Sequence, residues 1–69
     1  MNPEVSSEKD VYVLEFDGIG KNFHIETIEE MLDKNLKAFN EKKYLTYVPL
    51  FIGTNEDCFE KMKELAILI

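Results

Sequence analysis

The run Tyr44-Leu-Thr-Tyr-Val-Pro-Leu-Phe-Ile52 constrains this chain more than any other segment. Side chains alternate along a strand, so Tyr44, Thr46, Val48, Leu50 and Ile52 point one way and Leu45, Tyr47, Pro49 and Phe51 the other. A strand that is apolar on both faces needs cover on both sides. The rest of the chain offers two amphipathic helices for that task. The face they leave open is the best pointer to function, and it points to a partner.

Sixty-nine residues make one small domain. A chain of this length buries only about 60% of the surface its unfolded form exposes, and oligomerisation is one remedy for so thin a core. The 14 acidic and 8 basic residues leave a net charge of −6, and every basic residue is a lysine. A negative domain without a guanidinium fork is poorly suited to phosphate or to base edges, which argues against nucleic-acid binding. The same charge argues against anionic membrane surfaces. It suits a basic protein partner, toward which acidic charge steers association. A single cysteine, Cys58, excludes an internal disulfide and a multi-cysteine zinc site. With no signal-peptide pattern at residues 1–9 and no run long enough to span a bilayer, the expected location is cytoplasmic.

Residues 1–9 read as a polar tail and 10–69 as one domain. Val11–Phe16 is a strand by composition. Asp17-Gly-Ile-Gly-Lys-Asn22 carries a turn signal, and Phe23–Glu26 alternates as the second strand of a hairpin. Thr27 and Glu30 have the spacing of a capping box, and Ile28, Met31, Leu32, Leu36, Ala38 and Phe39 share one arc of the helix that follows. Tyr44–Ile52 is the third strand. Pro49 cannot donate to a ladder, which places it at an edge or a bulge. Thr54 caps a second helix with Asp57 at its third position, and Cys58, Phe59, Met62, Leu65, Ala66 and Ile69 form its apolar arc. The expected fold is α+β: a two-layer β-hairpin-α-β-α arrangement with a three-stranded mixed sheet and both helices on one face. Strands 2 and 3 would be parallel if adjacent, joined by a right-handed crossover.

On that arrangement Tyr12, Leu14, Phe16, Phe23, Ile25, Val48, Leu50 and Ile52 meet the helices. Val11, Val13, Leu45, Tyr47 and Phe51 form the open face, and an apolar patch rimmed by charge marks an interface. Glu56, Glu60 and Glu64 stand at i, i+4 and i+8 on the second helix, a second partner-binding surface. Expected Asp57–Lys61, Glu30–Lys34 and Asp33–Lys37 pairs partly relieve the acidic faces.

The residues give no catalytic constellation, cofactor motif or metal-ligand set. One histidine and one cysteine do not close a tetrahedral zinc site. Gly18 and Gly20 begin a G-x-G with no third glycine and no helix behind it. Cys58 sits among apolar neighbours with Glu56 and Asp57 close by, the setting of a buried structural thiol. His24 alternates with Phe23 and Ile25 and reads as a solvent-facing strand residue.

Val48-Pro49-Leu-Phe-Ile-Gly53 followed by a helix resembles the Val-Pro…Phe-Ile…Gly segment of glutaredoxins, in which the proline is cis and borders the thiol site. The family's active-site cysteine after the first strand is absent. The opening hairpin and capped helix resemble the start of a β-grasp fold, but a helix stands where that fold continues in strands.

The functional expectation is a small acidic, non-enzymatic protein-interaction module that self-associates, and that serves as an accessory or inhibitory protein for a larger basic partner. Such a protein would suit a phage or mobile element. The alternative is a DNA mimic that inhibits a nucleic-acid-binding protein through Glu56, Glu60, Glu64 and the acids of the first helix.

Overall fold

A computed structural model describes residues 11–68, and the expected tail at residues 1–9 lies outside them, as does Ile69. The elements run β1 (Tyr12–Asp17), β2 (Asn22–Thr27), α1 (Ile28–Asn40), β3 (Tyr47–Gly53) and α2 (Asn55–Ala66). The α+β class and the order of elements are as the sequence indicates. The sheet differs from expectation. It is antiparallel throughout in the order β2-β1-β3, not mixed. β2 takes one edge of β1 through the hairpin, and β3 takes the other, so β2 and β3 never pair.

The helices also part company, one to each face. Register puts Leu14 opposite Ile25 and Phe51, and Phe16 opposite Phe23 and Val48. Paired residues share a face, and Lys61 of α2 lies 5.3 Å above the Phe51 ring, so α2 covers this side. Val13 and Glu15 point the other way, opposite Glu26 and His24. There Lys34 of α1 reaches both Glu15 and Glu26. Val13 and Leu14 are adjacent, point to opposite sides and are both 0% exposed. Two helices on one face would have left one of them bare.

A bulge explains why alternation misassigned β3. Glu15 pairs with Pro49 but Leu14 pairs with Phe51, which leaves Leu50 as the extra residue. Parity reverses there. Val48 stays on the α2 side with Phe16, whereas Ile52 faces the α1 side with Val13. Both halves of the expectation for Pro49 hold: β3 is an edge strand, and the bulge is next to the proline.

The helix ends follow local chemistry. At α1 the Thr27 hydroxyl accepts from the Glu30 amide at 3.1 Å and the Glu30 carboxylate accepts from the Thr27 amide at 3.0 Å, the reciprocal capping box. At α2 the Thr54 hydroxyl accepts from the Asp57 amide at 3.0 Å. α1 ends when Lys43 donates to the Ala38 carbonyl and Lys42 to that of Phe39, with Lys42 left-handed at φ 57°. The hairpin turn is held by the Asp17 carboxylate, which accepts from Ile19 at 3.0 Å, and by the Asp17 carbonyl, which accepts from Lys21 at 2.7 Å. The Thr46 hydroxyl, then the Gly20 and Ile19 amides, hold the Asp17 carboxyl below its usual range and tie the turn to the approach to β3.

Lys42 occupies the position that glycine fills at least cost. Lys42→Gly should therefore raise stability by about 0.5–1 kcal/mol, read as a higher urea midpoint at unchanged slope. An unchanged or lower midpoint would show that the lysine side chain compensates for the strain.

Candidate functional site

Two features of the surface and near-surface stand apart from ordinary packing. The first is a cluster of ionisable groups beneath α1. Glu15 is 2% exposed and Glu26 8%. The Lys34 ammonium stands 2.6 Å from Glu26 Oε2 and 3.5 Å from Glu15 Oε1. His24 Nε2 is 3.3 Å from Glu26 Oε1. The Tyr47 ring closes the group, 5.3 Å from the imidazole and 5.0 Å below the ammonium. Register creates this cluster: the antiparallel hairpin sets Glu15 beside His24 and Val13 beside Glu26 on the same face, and Lys34 descends from α1.

Two buried carboxylates beside one ammonium cannot both be ionised cheaply. Burial pushes the Glu15 carboxyl up, and its hydrogen bond to Glu26 and that neighbour's charge push it further. Burial also raises Glu26, but the contacts with Glu15 and Lys34 outweigh it and leave Glu26 below its ordinary value. The pair is thus split, with Glu15 the carboxyl group that gives up its proton less readily and Glu26 the one that stays charged beside Lys34. Burial lowers Lys34, and the two carboxyl groups overcome that and raise it. Glu15 Oε1 is buried without a hydrogen-bond partner, with the Lys34 ammonium 3.5 Å away, while Glu26 Oε2 is in direct contact with that ammonium.

The second feature is the β3 edge. Val48, Leu50 and Ile52 are 56%, 48% and 59% exposed. No charged residue lies between Lys43 and Glu56 in a chain that is 32% charged. A separate apolar stripe, Leu32, Leu36 and Phe39, is exposed on the α1 flank away from Lys34.

The expected site residues scatter. Val13 is fully buried under α1, which corrects its placement on an open face. Val11 is half-buried, and its carbonyl accepts from the Ile28 amide at 3.0 Å. Tyr47 and Phe51 are half-buried on opposite faces, each beneath a lysine from a different helix. Leu45 is 40% exposed in the loop before β3. Val48, Leu50 and Ile52, expected under the helices, are the residues left bare. Glu56, Glu60 and Glu64 are exposed on α2, but Glu60 pairs with Lys63 and Glu64 with Lys61, each at 3.3 Å. The acidic ladder is thus interrupted by lysines. Lys61 pairs with Glu64 where Asp57 was expected, and Lys34 turns from Glu30 to the buried cluster. Cys58 is fully buried, as expected. Val48–Pro49 is trans, unlike the glutaredoxin segment.

The cluster was missed because no single residue announces it. The available signal was Glu15 itself, a carboxylate inside the apolar run Tyr12–Phe16; pairing that run antiparallel with Phe23–Glu26 would have brought Glu26 and His24 alongside. No family model, curated protein or solved structure matches the chain.

The upward shift at Glu15 has a signed consequence. A group whose pKa rises on folding contributes stability below its unfolded value, and that contribution is lost as pH climbs through the folded value. Glu26, held low, acts in the opposite sense and is present in wild type and variant alike. Glu15→Gln mimics the protonated acid. In buffer containing a chelator, its stability should match wild type below the ordinary glutamate value of 4.5 and should exceed it increasingly as pH rises toward neutrality. Urea midpoints across pH 4 to 8 read this difference; a constant difference would show that Glu15 titrates in the folded protein as it does in the unfolded chain, and would contradict the upward shift.

Burial, followed by the Asp57 charge, pushes the Cys58 thiol up against the opposing Gly53 hydrogen bond. Cys58 should therefore be inert to an aromatic disulfide reagent in the native protein and react at once in denaturant. Rapid native reaction would contradict a structural role.

Proposed function

We propose that this chain is a small, non-enzymatic protein-interaction module that self-associates through the β3 edge. The observation that carries the reading is the exposed, uncharged strip of Val48, Leu50 and Ile52 on a free edge strand. Two copies at net charge −6 repel, and a segment free of charge from Tyr44 to Asn55 is where they could meet at least electrostatic cost. Pro49 and the Leu50 bulge are devices that blunt an edge against continuous strand pairing. The contact would therefore be made chiefly by side chains, with apolar area as its driving force. The remaining acidic surface suits a larger basic partner, for which the module would act as an accessory or inhibitory protein. The lysines paired with Glu60 and Glu64 make α2 a poor copy of a phosphate ladder, so this reading is preferred to DNA mimicry.

Sedimentation velocity with Leu50→Glu and Ile52→Glu tests the proposal. Wild type should sediment as an oligomer whose fraction rises with concentration. Either variant should be monomeric while retaining the wild-type circular dichroism spectrum. A monomeric wild type, or variants that associate as wild type does, would sink the reading. The α1 stripe then becomes the surface to test, with Leu36→Glu.

A further inference from the structure

From the buried cluster we infer a divalent-cation site formed by Glu15, His24 and Glu26, with the Lys34 ammonium as its resident stand-in. One ligand atom from each of these three residues can be chosen so that all lie within 4.8 Å of one another. His24 Nε2 and Glu26 Oε1 are already 3.3 Å apart. A tetrahedral centre with bonds near 2.1 Å separates its ligands by roughly 3.4 Å, so this pair is set at coordination distance before any ion arrives. Glu15 Oε1 supplies the independent sign of a ligand. Its side chain is 3% exposed, and this oxygen has no hydrogen-bond partner.

Charge balance favours the exchange. Ionised, the two carboxylates carry two negative charges, and the single ammonium neutralises one. The other must be cancelled by a proton or by a further cation. A divalent ion cancels both: His24 gives a ring-nitrogen lone pair, any proton held between the two carboxyl groups leaves to solvent, and Lys34 withdraws. The Lys34 side chain is 31% exposed, so its head can swing into water without stranding a buried charge. The His24 side chain is 43% exposed, which leaves a side through which the ion and a water ligand can enter. One imidazole nitrogen with two carboxylate oxygens suits zinc, cobalt or manganese over calcium or magnesium, which take oxygen alone.

The test uses the full chain with Cys58→Ser, so that the thiol cannot bind metal. Titration with cobalt(II) chloride should give visible d–d absorption saturating at one equivalent, and zinc chloride should displace it. Either Glu15→Gln or His24→Ala should abolish that saturable step while the circular dichroism spectrum is retained. Lys34→Gln should tighten it by roughly tenfold, since a competing cation is gone. Glu60→Gln should leave it unchanged. Absence of a saturable one-equivalent step in the starting protein, or its survival in both Glu15→Gln and His24→Ala, would overturn the site. Loss of the step equally in Glu60→Gln would mean diffuse binding to the acidic surface and would overturn it as well.

Discussion

Everything in this fold hangs from β1. It is paired along both edges and covered on both faces, and its three central residues, Val13, Leu14 and Glu15, are at most 2% exposed. No other element among the described residues is enclosed in this way. The fully buried apolar set is small, and much of it lies on this strand or directly above it, as Cys58 does. A core this thin gives each buried side chain, at about 1.5–3 kcal/mol, an unusually large share of the net stability. The same enclosure explains why so much apolar surface is left outside. With one helix on each face, each covers only part of its side, and the outer edge of β3 receives neither.

The most buried strand also holds a carboxyl group. Glu15 would be costly there alone. Its neighbours make it tolerable: a second carboxyl group held below its ordinary value, and a lysine from α1 whose ammonium stands beside both. Packing and electrostatics meet at this point, since half-buried Lys34 on α1 places its ammonium against the carboxyl pair and the Tyr47 ring of the sheet. Replacing such clusters with apolar residues often increases stability, so their presence in a small domain asks for another explanation than strength. Ion exchange at a site already shaped for a cation is one that needs no further parts.

Much of the local structure was legible in the sequence. Thr27 and Glu30, and Thr54 and Asp57, announce their caps because the hydrogen bonds involved span only three residues. The hairpin and both helices follow from periodicity. The errors arose where the answer depends on contacts distant along the chain. Nothing in Phe23–Glu26 or Tyr47–Ile52 says which edge of β1 each will take. The wide apolar arc of α1 suggested a helix that buries Leu32, Leu36 and Phe39, yet its seat runs through Met31, Lys34 and Ala38 instead. Pro49 marked the irregularity in β3, but not which residue would be pushed out of register. The candidate site was illegible for the same reason: Glu15, His24, Glu26 and Lys34 become neighbours only once the hairpin register is fixed and a helix is laid over it.

The Leu50 bulge sets the address of two aromatic rings. Tyr47 and Phe51 are four residues apart, and in an unbroken strand they would share a face. The extra residue sends Tyr47 to the lysine of α1 and Phe51 to the lysine of α2. One strand thereby serves both layers, with a matching cation–ring contact in each. It is the bulge, more than the composition of the segment, that keeps the rings apart. Deleting Leu50 would leave them three residues apart in a regular strand and still on opposite faces, whereas straightening the bulge with every residue retained would crowd both rings onto a single helix and leave the other without its partner.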